Sequence, residues 1–185
     1  NMKNFIFTST IKPSICDRLI DLYESGLNTL GQPKVTGGML NNRINFKEKK
    51  CKESYYDPYF LIFYLKELKK SLDKYKKEYP WCAKGCPWAL ETNIKIQKYL
   101  PGEAYFRTHY ENDGSNECIR RHLTFMTYLN TVKEGGETEW PSQQIKIKPK
   151  KGSTIIWPAY FTHPHHGIPA PKETKYIITG WYTYE

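Results

Sequence analysis

The chain has 185 residues and a formal charge of +9 from 28 Lys and Arg against 19 Asp and Glu, long enough for one domain that buries an ordinary core without staples. Its five cysteines, Cys16, Cys51, Cys82, Cys86 and Cys118, are odd in number and irregular in spacing, which argues against a secreted disulfide framework and for reduced thiols in a cytoplasmic protein. The CxxxC of Cys82 and Cys86 has no second ligand pair at zinc-finger spacing, and the lysines are scattered, so neither a structural zinc nor a nucleic-acid partner is expected.

The start, NMKNFIF, offers one lysine and three consecutive apolar residues before Thr8, too few for a signal-peptide core. The longest apolar run, Tyr59 to Leu65, falls far below a membrane span. Ser14 followed by Asp17 resembles a capping box, and Ile15, Leu19, Ile20, Leu22 and Tyr23 recur at helical spacing up to Gly26, predicting a first amphipathic helix. Residues 31 to 55, rich in Gly, Asn and Lys without a strong period, read as a long irregular or partly extended segment, a candidate lid. Asp57 and Pro58 then supply a cap and a first-turn proline, and Phe60, Leu61, Phe63, Tyr64, Leu68 and Leu72 line one face of a second helix ending before Pro80. Its lysines, Lys66, Lys69, Lys70, Lys74, Lys76 and Lys77, form the wet face.

After Trp88 the period changes. TNIKIQKY (92 to 99), YFRTHY (105 to 110), RHLTFMTYLN (121 to 130), IKIKP (145 to 149), GSTIIW (152 to 157) and KYIITGWYTY (175 to 184) are short runs of β-branched and aromatic residues separated by turn formers. Two helices followed by many strands predict an α+β, mainly β chain, with helices packed on one sheet of a jelly roll. No repeat or linker divides it. The expectation is one domain over 1–185, helical over about 13–80 and jelly-roll over about 90–185.

His109-Tyr110-Glu111 ends a predicted strand, and positions i and i+2 of a strand share a face. With one more histidine from a distant strand, two imidazoles and one carboxylate would leave three sites of an octahedral metal open, an arrangement suited to non-haem Fe(II) and oxygen. Three histidines, His163, His165 and His166, stand in FTHPHHGIPAPKETKY.

The ordered set YLPGEAYFRTHYEND, RHLTFMTYLN, EGGETEWP, KGSTIIWP and HHGIPAPKETKYIITGW resembles the Fe(II)- and 2-oxoglutarate-dependent oxygenases of the prolyl 4-hydroxylase type across residues 92 to 184. That resemblance implies a double-stranded β-helix with N-terminal support helices and His109, Glu111 and a distal His as iron ligands. The family carries Asp where this chain has Glu111, one methylene longer. The family also places a proline four residues after the distal His and a basic residue ten after it, holding the far carboxylate of 2-oxoglutarate. His165 meets both conditions, with Pro169 and Lys175, whereas His163 leads to Gly167 and Glu173, and His166 would need the basic residue at Tyr176. His163 and His166 are left as exposed loop histidines.

By the same resemblance Tyr99 and Thr138 donate hydroxyls to that carboxylate. Arg121 stands at the mouth of the site, and Tyr105 and Trp181 line the substrate or cosubstrate pocket. The implied cofactors are Fe(II), 2-oxoglutarate and O2, with room for ascorbate. The implied reaction is hydroxylation of a C–H bond, first of all in a prolyl residue of a peptide or protein. The alternatives are a free amino acid, another small metabolite or a nucleobase, and, outside enzymes, a basic nucleic-acid-binding protein or an inactive jelly-roll module.

Overall fold

A computed structural model describes residues 2–40 and 43–185. In chain order it comprises β1 (Phe7–Thr10), α1 (Pro13–Ser25), β2 (Lys34–Leu40), β3 (Arg43–Tyr56), α2 (Ile62–Glu78), β4 (Trp88–Leu90), β5 (Ile94–Tyr99), β6 (Arg121–Tyr128), β7 (Thr138–Trp140), β8 (Ile145–Ile147), β9 (Ser153–Pro158), β10 (His166–Gly167) and β11 (Lys175–Tyr184). The large sheet runs β1-β9-β6-β11-β5-β3-β2, with β4 also paired to β11, and a small sheet runs β10-β7-β8. All pairings are antiparallel. This is the double-stranded β-helix expected from the sequence, with the helices on the outer face of the large sheet.

Strand alternation builds two cores and decides which residues reach the site. Along β11, Ile178 and Tyr182 join a cluster with Leu19, Tyr64, Leu68, Phe125 and Ile156 under the helices. Lys175, Ile177, Thr179 and Trp181, the intervening positions, line a cavity between the sheets. β5 divides in the same way: Ile94 and Ile96 face the helices, and Lys95, Gln97 and Tyr99 face the cavity. Tyr99, Met126, Tyr128, Trp140, Trp157 and Ile177 make the second apolar cluster, between the sheets.

Gly180 lies opposite Phe125 in the β11–β6 ladder. A Cβ there would sit 2.6 Å from Cζ of this fully buried ring. Gly180→Ala is therefore expected to destabilise the fold by about 1–3 kcal/mol, as overpacked core sites do, measured as a lowered midpoint of thermal unfolding.

Both helices form where expected, with altered starts. α1 begins at Pro13 after Lys12, which makes no side-chain cap bond, and Ser14 falls inside the first turn. Proline at the first position needs no amide partner, so it starts the helix without the predicted capping box. Gly26 ends it at φ 67°, its N–H donating to Tyr23 O. Asp57 accepts from Tyr59 N at 2.8 Å, but it caps a 3-10 turn over Pro58–Leu61 that leads into α2. That offset leaves Phe60 exposed, while Tyr64, Leu68, Leu72 and Tyr75 are buried.

Of the two alternatives for the segment 31 to 55, irregular or partly extended, the extended one holds: it is largely a hairpin, β2–β3, whose long second strand pairs with β5 and extends the large sheet; Asn41 and Asn42, which fall within the candidate lid, lie outside the described residues. One expectation is corrected. Residues 105 to 110 form no strand: they touch the rest of the fold through isolated bridges, Lys49 with Tyr105 and His109 with His165. Among the described residues no helix is long and apolar enough to cross a membrane, and the five cysteines are free thiols.

Candidate active site

His109, Glu111 and His165 converge so that one donor atom from each lies within 4.8 Å of the others. Strand alternation does not bring them together, since no strand is present at 109 to 111. His109 and His165 exchange backbone hydrogen bonds, N to O at 2.9 and 2.8 Å, and the amides of Glu111 and Asn112 donate to Ala159 O. Asp113 is exposed and holds the Ser115 amide, outside the triad.

The tautomers follow from the partners. His109 Nδ1 lies 2.9 Å from Arg107 O and His165 Nδ1 lies 3.0 Å from His163 O. A carbonyl can only accept, so each Nδ1 carries the proton and each neutral ring turns an Nε2 lone pair inward. Those nitrogens stand 3.4 and 3.0 Å from Glu111 Oε1. Burial lowers the His109 pKa, which disfavours a proton as the group reconciling these lone pairs. Burial works to raise the Glu111 pKa, but hydrogen bonds and charge from His109 and His165, available only where a positive group such as a proton stands at their Nε2 atoms, hold it well below the usual carboxylate range. Converging acceptors around a carboxylate fit a divalent cation with nitrogen and oxygen ligands.

Aromatic groups brace the triad. Tyr105 stacks on His109 at 3.7 Å between centroids, and Trp140 and Trp157 pack against His165. Trp181 Nε1 donates to Glu111 Oε2 at 3.0 Å. Arg121 lies 3.6 Å over the Trp181 ring and donates from Nη1 to Glu111 O. Arg121, Tyr105 and Trp181 thus touch the triad residues directly as well as lining its surroundings.

Lys175 opens β11 at the far end of the same cavity and is buried. Its ammonium donates to Gly136 O at 3.1 Å and lies 4.9 Å from the centre of the Tyr99 ring. Among the described residues no carboxylate is within ion-pair distance of it. Burial lowers its pKa to about 8, with Glu137 acting in the opposite direction. The Gly135-Gly136 pair shapes this corner: Gly136 has φ 77°, and a Cβ there would stand 2.9 Å from Pro149 and 3.5 Å from the Lys175 stem.

Tyr99 and Thr138 line the cavity beside Lys175. Tyr99 donates to Gln97 Oε1 at 3.2 Å. Thr138 Oγ1 accepts from Tyr128 OH at 2.7 Å, which leaves its own proton free to donate. Tyr128 drew no notice in the sequence because its strand marks it as one more core aromatic.

Two histidines expected to be exposed are not. His163 is buried, bridging Thr162 Oγ1 and Asn4 O, while its carbonyl orients His165. His166 is half-buried at the cavity rim, near Thr108 Oγ1 and Glu139 Oε2. The turn after β9 packs onto the N-terminal segment, which the loop composition gave no reason to expect. The sequence reading also missed the buried Lys49, Glu53 and Gln97 and the half-buried Lys95, a polar group on the β3–β5 wall.

Fold and site together define a double-stranded β-helix that carries a candidate metal centre, and residues 94–183, close to half of the chain, match the model of the 2OG-Fe(II) oxygenase superfamily. Over those residues the chain is similar to that superfamily. It is 27% identical over 113 residues to a putative prolyl 4-hydroxylase of Acanthamoeba polyphaga mimivirus, covering 52% of this chain and 46% of that protein. Among solved structures it resembles the viral collagen prolyl hydroxylase of Paramecium Bursaria Chlorella virus-1 in its 2OG complex, with a TM-score of 0.65, 21% identity and coverage of 98% and 96% of the two chains. It also resembles a Trichoplax adhaerens prolyl hydroxylase in complex with a hypoxia inducible factor peptide fragment, with a TM-score of 0.70, 19% identity and coverage of 98% and 84%. The chain spans less than half the length of the curated relatives it matches.

Proposed function

We propose that this chain hydroxylates a prolyl residue of a peptide or protein, using Fe(II), 2-oxoglutarate and O2. The observation that carries the reading is the pairing of the His109, Glu111 and His165 triad with an unpaired, buried Lys175 ammonium on one cavity. Iron and 2-oxoglutarate, when bound, supply the oxidising power: one oxygen atom of O2 enters the substrate C–H bond, and the other leaves in succinate as the keto acid loses carbon dioxide.

The protein's part is placement. His109 and His165 would hold the ion through Nε2, and Glu111 through one carboxylate oxygen, a donor set that suits a divalent cation with room for further ligands. Lys175 receives the outer carboxylate of 2-oxoglutarate, where burial would otherwise make that charge costly, and Thr138 supplies a hydroxyl beside it. Trp181 and Arg121 hold the second oxygen and the backbone of Glu111, so the longer acidic side chain keeps one orientation. The aromatic rings around the imidazoles exclude water from the reacting space. The relatives that carry prolyl hydroxylase names support the substrate assignment, and an intact ligand set argues against an inactive module.

The test is incubation with Fe(II), 2-oxoglutarate and proline-containing peptides, following succinate release and peptide mass together. Succinate formed in step with one added oxygen on proline is expected. Oxygen added to another residue would overturn the prolyl assignment, and no succinate from well-folded protein would overturn the oxygenase reading.

A further inference from the structure

The wall made by β3 and β5 holds more positive charge than the proposed chemistry uses. Glu53, buried on β3, faces Gln97 across the ladder and accepts from Gln97 Nε2 at 2.7 Å and from Tyr55 OH at 2.9 Å. Two ammonium groups share that carboxylate at longer range, Lys49 at 3.4 Å and Lys95 at 3.8 Å. Charge-assisted N–H···O bonds are normally about 2.7–2.9 Å. Both lysines therefore keep donors in hand, and among the described residues the one carboxylate within ion-pair distance of them serves two ammonium groups whose side chains are only 9% and 13% exposed. Such a charge is costly to bury without an anion.

Their position says which molecule meets them. Lys49 and Lys95 line both the inner cavity that holds Lys175 and the open groove outside the triad. Lys49 Nζ is 5.0 Å from the centre of the Tyr105 ring that stacks on His109. Lys95 Nζ is 5.1 Å from the Trp181 ring that bonds Glu111. Each ammonium thus stands one aromatic ring away from the triad. The arginines of the outer groove are already engaged, Arg107 with Glu48 and Arg121 with Glu111. The lysine pair carries the unspent charge.

We propose that Lys49 and Lys95, anchored by Glu53, bind a carboxylate of the substrate adjacent to the carbon that is oxidised, so that this chain selects acidic substrates and rejects cationic ones. The proposal rests on the hydroxylase reading and adds to it the substrate class. The carboxylate comes either from an acidic side chain in a peptide or from a free chain terminus, and both present the same two oxygens to the pair.

Equilibrium binding under anaerobic conditions, with Fe(II) and 2-oxoglutarate present, tests it with matched peptides. The first set is acetyl-Gly-Glu-Pro-Gly-amide and its Gln and Lys counterparts. The second is acetyl-Gly-Gly-Pro with a free carboxylate against the same peptide amidated. At least one acidic peptide is expected to bind about tenfold tighter or more than its neutral counterpart, a typical scale for a close charge pair, and the set in which this occurs identifies the source of the carboxylate. Lys95→Met and Lys49→Met should bring the ratio close to one, and Lys95→Arg should retain it. Equal binding of acidic and neutral peptides, or no binding by either acidic peptide, overturns the proposal. So does a Lys95→Met protein that loses 2-oxoglutarate affinity but keeps the peptide ratio, since the lysines would then serve the cosubstrate. Were the Met variants not to fold, the wild-type ratio and Lys95→Arg still decide. Succinate release in air with the proline peptides is followed separately: its absence from well-folded protein refutes the oxygenase reading, whereas the anaerobic binding ratio judges the anion site.

Discussion

Replacing His165 by Ala is expected to abolish the weak visible absorption that Fe(II) and 2-oxoglutarate give together under anaerobic conditions, and to lower iron affinity more than ~100-fold. Loss of a residue that merely orients a metal ligand costs about 10–100-fold, and His165 is proposed as a ligand itself. Among the described residues its Nε2 is one of three protein donors that converge on the site, and the two that remain would hold an ion far less tightly. The neighbours provide the control. His166→Ala should retain the absorption, because its ring points to Thr108 and Glu139 and takes no part in the triad. His163→Ala should also retain it, since the group that orients His165 is the main-chain carbonyl of 163, which the substitution leaves in place. Loss of the signal with His166→Ala and its survival in His165→Ala would refute the ligand assignment.

Lys175→Met should weaken 2-oxoglutarate binding by about 30- to 4,000-fold while iron binding changes little. Removing one partner of a buried charge pair costs roughly 2–5 kcal/mol, and each 1.4 kcal/mol is about tenfold. Met matches the length of the stem, so the packing against Tyr99 and Gly136 survives and the loss reports the charge. The pH dependence has a definite sign. In the unliganded protein burial places the Lys175 pKa near 8, and the dicarboxylate selects the protonated form. Affinity should thus be full below about pH 8 and fall as pH rises through it, until the bound form also loses its proton. The stability of the unliganded fold moves the other way. Between about 8 and the ordinary lysine value of 10.5 the unfolded chain holds a proton that the folded chain has lost, so stability rises with pH there. An affinity for 2-oxoglutarate that is indifferent to Lys175→Met would refute its role.

The parts of the fold legible in the sequence are those where one side chain in two is apolar. β11 is the clearest case, since KYIITGWYTY sorts its residues between helix core and cavity by parity alone. The ten-residue step from His165 to Lys175 was legible through the family resemblance alone; in the structure it joins the bridge residue just before β10 to the first residue of β11. β3 was illegible because its alternation is written in charged residues. In KKCKES, Lys49, Cys51 and Glu53 are buried while Lys50 and Lys52 are exposed, and hydropathy registers no period when lysine stands on both faces. The same blindness hid the polar wall of the cavity. At 105 to 110 the error ran in the other direction, since β-branched and aromatic residues there serve stacking on His109 and contacts at the groove, not a ladder.

The reciprocal pair of main-chain hydrogen bonds between residues 109 and 165 has a thermodynamic consequence. Two donor rings 56 positions apart are locked as one unit before any ion arrives, so the entropy of assembling them is charged to folding and not to metal uptake. Occupancy and conformational stability then become linked quantities: an ion that binds only the locked form stabilises the whole domain, and a variant that loosens the distant packing of the sheets must lower ion affinity without touching a ligand.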